Sequence, residues 1–128
     1  RSEMCIRDRA DAYLMYAEIA ARGAGADAGT AANYINILRQ RAYGDTSGNI
    51  SASDIDLDFI IDERARELYW EGHRRTDLIR FNQFSENSVW QWKGGVQPGN
   101  ATQVFRNIMP IPETDLSLNT NLEQNPGY

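Results

Sequence analysis

Glu63 and Glu67 are the side chains in this sequence whose type and spacing best suit acid–base chemistry. Four residues apart, they share one face of a helix. Paired carboxylates are what glycoside hydrolysis needs, one as acid and one as base or nucleophile. The surrounding run Glu63-Arg-Ala-Arg-Glu67 argues against that use. A guanidinium beside a carboxylate favours its charged form and removes the general acid. A structural ion-pair network is the better reading of Glu63 and Glu67, with Arg39 and Arg41 of the preceding helix as the expected outside partners. His73 with Glu71 and Asp77 sketches a metal site, but one histidine without a second soft ligand is a weak donor set. Asp77 is expected to serve the ring as a hydrogen-bond acceptor instead, so neither a metal nor a cofactor is expected. Trp90 and Trp92 are the candidates for ligand contact, because large aromatic faces suit the C–H faces of sugar rings. In an extended segment, residues two apart point the same way. That arrangement serves equally well to cover a core, and packing is the reading adopted for both.

The element that positions most of these groups is the stretch Glu63-Arg-Ala-Arg-Glu-Leu-Tyr-Trp-Glu-Gly-His-Arg-Arg-Thr-Asp-Leu-Ile-Arg-Phe81 with the residues just before it. Leu57, Ile60, Ile61, Ala65, Leu68 and Tyr69 recur at helical spacing, which predicts one buried face. Glu63, Glu67 and Glu71 line another face and repel by roughly 0.2–0.5 kcal/mol per pair. Asp62 with Arg66 and Glu71 with Arg75 offset part of this at i,i+4, and Arg74 and Arg80 each stand three residues from Asp77. Gly72 costs about 1 kcal/mol relative to alanine inside a helix. It marks a break between the long helix and a short one over 75–81.

Upstream, 11–22 reads as a helix apolar on two sides, with Ala12, Met15, Tyr16 and Ile19 on one and Leu14, Ala17 and Ala21 on the other. Such a helix is sandwiched between layers. Gly23 to Gly29 is glycine-rich, but a phosphate loop needs a preceding strand and a following Lys-Ser/Thr. Both are missing, so this is an interhelical turn. Thr30 is the expected cap of a second helix to about Ala42, with Ala31, Ile35, Leu38 and Ala42 inward. Ser53 and Asp56 have the spacing of a capping box that opens the long helix. Beyond Asn82 the helical period is lost, Val104 to Ile111 reads as extended, and a short helix is expected over 113–118 after Pro112.

Several of these segments resemble one family. ERARELYWEGHRRTDLIRF is similar to the ER-x-x-EL-x-x-EG-HR-x-x-DL-x-R segment of SusD/RagB proteins. DAYLMYAEIAARG and AANYINILRQRA resemble the last tetratricopeptide-like helix pair of that family, with Ile35 where leucine is usual. W-x-W-K-G-G, M-P-I-P and N-x-x-L-x-Q-N-P-G-Y follow in the family's order near its C-terminus. From residue 10 onward essentially the whole chain is covered. The resemblance implies a mainly α fold: the C-terminal part of a SusD-like domain, with a helical hairpin, a long helix and a loop-rich tail. It also implies a lipoprotein on the outer face of the outer membrane. Such a protein captures a glycan or peptide nutrient and delivers it to a SusC-like, TonB-dependent transporter, catalysing nothing. The family's glycan-contacting residues lie largely outside this portion, so none is carried over. A helical-repeat scaffold that binds a protein and a carboxylate-based glycoside hydrolase are the rival readings.

Composition narrows the field further. The 128 residues carry a net charge of -5, which speaks against a nucleic-acid partner. Lys93 is the sole lysine, so the cations are nearly all arginine and suit planar, bidentate pairing. No apolar run approaches the roughly 20 residues that cross a bilayer. A lone Cys5 excludes an internal disulfide and a cysteine-based zinc site. Met4-Cys-Ile-Arg-Asp-Arg9 back-translates into the end of a transposon-based sequencing adapter (ATG TGT ATA AGA GAC AG). Residues 1–9 are therefore read as foreign and expected to be exposed. Residues 10–128 are then a fragment, and the lipid anchor would lie in the N-terminal part that is missing.

Overall fold

A computed structural model describes residues 3–86 and 88–128, with side chains from residue 8 onward. The fold is mainly helical, with five α-helices and no strand among the described residues. The chain forms two compact units, Arg1–Asp77 and Leu78–Tyr128.

In the first unit α1 (Glu3–Ala21) packs against both α2 (Ala28–Tyr43) and α3 (Leu57–Glu67). The α1 backbone is helical well upstream of residue 11, and the side chains of Cys5 and Ile6 lie outside the described residues. Ala10, Leu14 and Ala17 of α1 are buried among Ala31, Ile35 and Leu38 of α2 and Ile60, Ile61 and Leu68 from α3 and its C-cap. The Tyr13 and Tyr34 rings stack at 4.4 Å across α1 and α2, and Tyr16 meets Tyr34 edge-on at 5.2 Å. Met15 and Ile19, on the second apolar side of α1, remain 47% and 44% exposed, so this helix is covered on one side only.

Local chemistry sets the helix ends. Asp27, rather than Thr30, caps α2, accepting from Thr30 N at 2.7 Å and Thr30 Oγ1 at 2.8 Å. Asp27 stands just before the first turn, where its carboxylate meets the free N–H groups, whereas Thr30 lies inside the helix. Gly44, at φ 80, ends α2 with its N–H on Gln40 O. Asn36 then holds the following loop by two bonds, Nδ2 to Ile50 O at 2.9 Å and Ile50 N to Oδ1 at 2.8 Å. The capping box forms two residues before its expected place, between Ser51 and Asp54, where it closes a short 3-10 turn. Extended Ile55 separates that turn from α3, so Asp56 caps α3 alone, accepting from Phe59 N at 2.7 Å.

The long helix stops earlier than its apolar spacing suggests. α3 ends at Glu67, and Tyr69 is 74% exposed rather than buried. Trp70 at φ 65 and Gly72 at φ 80 turn the chain before α4 (Arg74–Arg80). Glu71 therefore lies outside the helix that carries Glu63 and Glu67.

The second unit is built from turns and short helical pieces: 3-10 turns at Lys93–Gly95 and Val104–Asn107, and α5 (Glu113–Leu118) after Pro112. Val104 opens a 3-10 turn instead of an extended run, and Ile108 after that turn is extended. Gln124 bridges to Ile111 in both directions, its Oε1 accepting from Ile111 N and its Nε2 donating to Ile111 O, each at 2.9 Å. Tyr128 Oη donates to Ile108 O at 2.8 Å, and its ring stands edge-on to Phe105. No helix among the described residues is long and apolar enough to cross a membrane.

Candidate functional site

The structure brings together the four side chains singled out for ion pairing. Arg39 Nη1 stands 2.8 Å from Glu63 Oε2, and Arg41 Nη2 stands 2.5 Å from Glu67 Oε1. Both arginines project from α2 and both glutamates from α3, so the pairs fasten the two helices side to side. Glu63 also receives Arg66 Nη2 at 2.8 Å, from three residues along its own helix. Arg39 extends the link by donating Nε to Gly48 O, which ties in the loop after α2. The two pairs differ in solvent access. The Arg39 and Glu63 side chains are 17% and 7% exposed, against 45% and 15% for Arg41 and Glu67. The inner pair is shielded and geometry-dependent, while the outer one is screened by water and salt.

A second network has its centre at Arg64, which is 4% exposed. Its Nε donates to Asp77 Oδ2 at 2.9 Å and its Nη1 to Asp11 Oδ1 at 2.8 Å. One guanidinium thus joins α1, α3 and the start of α4. Of the two arginines three residues from Asp77, Arg74 donates Nη1 to Ile61 O at 3.0 Å. The sequence does contain the signal for Arg64. It falls at i+4 and i+3 from Ile60 and Ile61 and four residues before Leu68, on the buried face. In a run of alternating charges its position was hidden by its type.

These contacts bear on chemistry. Glu63 and Glu67 are both occupied by guanidinium groups, and Asp77 is engaged by Arg64. Among the described residues, no group of three or more His, Cys, Asp or Glu side chains could hold a metal ion.

The tryptophan segment departs from its expected geometry. Trp92 adopts φ 66, a left-handed turn conformation, so the two-residue alternation of an extended strand does not apply. Trp90 is 43% exposed and Trp92 65%, and neither is a core residue. Lys93 is the buried member of this loop, at 6% exposure. Its Nζ donates to Phe84 O at 2.6 Å and to Ser88 O, and lies 4.3 Å from the Trp90 ring centroid. Burial pushes the Lys93 pKa below its ordinary 10.5. The ammonium covers one face of Trp90 and the loop wraps around it: Trp90 O accepts Lys93 N, and Lys93 O accepts Asn100 N at 2.8 Å. Gly99, at φ 78, passes so close that a Cβ there would sit against Trp90 O.

A helical unit pinned by arginine–carboxylate pairs, followed by a turn-built unit closed around one lysine, is the architecture of this chain. It belongs to the SusD family, whose profile matches residues 5–128. It is 41% identical over 120 residues to the starch-binding protein SusD of Bacteroides thetaiotaomicron. The similarity takes in 93% of this chain and 20% of that relative, so the chain spans about a fifth of the length of the curated relative it matches.

Proposed function

We propose that this chain is part of an outward-facing outer-membrane lipoprotein that captures a glycan or other nutrient. It delivers the nutrient to a SusC-like, TonB-dependent transporter and catalyses no reaction. The observation that carries this reading is the 41% identity to a protein named for binding starch, reached within a chain that belongs to the SusD family. The chemistry of the helical unit is consistent with it. The carboxylates at the spacing a hydrolase would use are held by arginines between two helices, which suits fastening and does not suit proton transfer. Trp90 and Trp92 expose aromatic surface that suits sugar contact, with Lys93 fixing the loop that presents them. Anchoring by an N-terminal lipid is what the SusD-family membership implies for the whole polypeptide.

The test is calorimetry of the full-length polypeptide with starch-type glucans, together with chromatography of the glucan afterwards. Saturable binding with the glucan recovered intact, and co-purification with a transporter of the TonB-dependent class, is the expected result. Shortened glucan would replace capture by hydrolysis. Binding to neither glycans nor peptides, with retention of a soluble protein target, would favour a protein-binding scaffold.

A further inference from the structure

Where the chain turns between α3 and α4 it leaves an open cavity of about 490 Å³. Small-molecule sites fall at about 300–1,000 Å³. Ala65 and Leu68 line its apolar part, Tyr69 and Trp70 form aromatic walls, and Arg74 and Arg75 stand at its margin. The Tyr69 and Trp70 ring centroids are 6.3 Å apart and their planes are inclined by 52°. The two rings thus make a corner instead of a slot. Both are turned outward, with Tyr69 74% and Trp70 89% exposed. The left-handed backbone at Trp70 and Gly72 presents them, since neither side chain contributes to the core.

The charge around this corner is opposite to that of the chain. The net charge is -5, yet three arginines and one aspartate line the cavity. Arg64 is committed to Asp11 and Asp77. Arg74 is exposed and is steadied by one bond, Nη1 to Ile61 O. A guanidinium has five N–H donors in a planar fork, and a planar carboxylate, like a phosphate, is a group that fork pairs with bidentately.

We propose that this cavity binds a sugar ring bearing a carboxylate, a uronic-acid residue of a glycan. Its C–H face lies on Trp70 and its carboxylate meets Arg74. A flat aromatic acid would contact one wall of a 52° corner, whereas a puckered ring fills both. A neutral sugar would leave the guanidinium without its anionic partner. The choice of a sugar rests on the glycan-capture reading above; the aromatic corner and the cationic rim stand without it.

The experiment is an NMR titration of the 128-residue chain, reading the Trp70 indole N–H. The probes are a galacturonic-acid oligomer, a neutral galactose oligomer of equal length, and acetate. Saturable shifts with the acidic oligomer, at an affinity about tenfold or more above the neutral one, are expected, with no saturation by acetate. Trp70→Ala, read at the backbone amides that line the cavity, removes an exposed ring and should weaken acidic-oligomer binding about tenfold with an unchanged ligand-free backbone spectrum. Arg74→Gln should bring the two oligomers close to equal affinity. Equal affinity in the unmodified chain, unchanged binding after Trp70→Ala, saturation by acetate, or no saturation by either oligomer would each overturn the proposal. Glucan binding by the full-length protein reads separately. If that persists while the acidic oligomer fails here, only this site is lost; if the full-length protein binds neither glycans nor peptides, the capture reading itself falls.

Discussion

Replacing Arg64 with methionine tests the physical reasoning most directly. Arg64 and Asp77 are 4% and 5% exposed at their side chains, and Asp11 is 27% exposed. Arg64→Met fills most of the arginine volume, so the loss is mainly electrostatic. Asp77 is left with its buried carboxylate short of its guanidinium, and breaking a buried pair in this way costs about 3–5 kcal/mol. At about 0.05–0.15 kcal/mol per residue, the 77 residues of the helical unit would hold roughly 4–12 kcal/mol in all. The substitution therefore removes a quarter or more of that stability. At about 4–8 °C per kcal/mol for a domain of this size, the melting point should fall by roughly 12–40 °C. Urea unfolding followed by far-UV circular dichroism measures this, with an unchanged slope as the sign that the unfolded state is unaffected. Arg41→Met is the control, because the Arg41 side chain is 45% exposed and its loss should cost only about 0–1 kcal/mol. The double variant Arg64→Met, Asp77→Asn should recover much of the loss, since the only carboxylate of the network then left charged is Asp11, which at 27% exposure reaches water. A loss below about 1 kcal/mol for Arg64→Met, or no recovery in the double variant, would refute the account.

Gly99→Ala should destabilise the second unit by more than about 1 kcal/mol, because the new methyl meets Trp90 O at a φ that favours glycine; tryptophan fluorescence during urea unfolding reads it, and an unchanged midpoint would contradict it. Hydrogen bonds from the side chains and backbone N–H groups of Thr30, Ser47 and Ser51 hold Asp27, Asp45 and Asp54 below the usual 3.8. Their contribution to stability is complete above that value and fades as pH falls through the lower folded values; carboxyl NMR titrations should place all three midpoints under 3.8. Lys93 behaves oppositely. Between its lowered pKa and 10.5 the unfolded chain holds a proton that the folded chain has released, so stability of the second unit should rise with pH across that window. Trp90 emission should change in the same range as the ammonium at its face is neutralised, and a change centred at or above 10.5 would count against burial as the cause.

What the sequence disclosed follows from which interactions have a period. Ile60, Ile61 and Leu68 were legible on one face of α3 because burial repeats with the helical turn. Gly72 was legible as a break because glycine adopts φ 80 at little cost. The earlier end of α3, at Glu67, was not: Trp70 takes the left-handed conformation without being a glycine or an asparagine, and no local rule marks it. The arginine–carboxylate links between α2 and α3 could be anticipated from charge that had to be neutralised. Arg64 was missed because its partners, Asp11 and Asp77, come from 53 and 13 residues away. The tryptophan loop was misread because Trp92 turns left-handed, which puts Lys93 inside and leaves both indoles facing water.

The bond pair between Gln124 and Ile111 has a consequence for how the tail meets other chains. Outside regular structure, an extended segment offers any unpaired N–H and C=O groups to a passing strand. The Gln124 amide supplies one donor and one acceptor at the spacing of a neighbouring backbone, so Ile111 is already paired as if a strand lay beside it. One side chain thus does locally what an extra strand does for a sheet edge, blocking the addition of a foreign one. The Ile111 amide should exchange with deuterium as slowly as a residue in a ladder, while belonging to none.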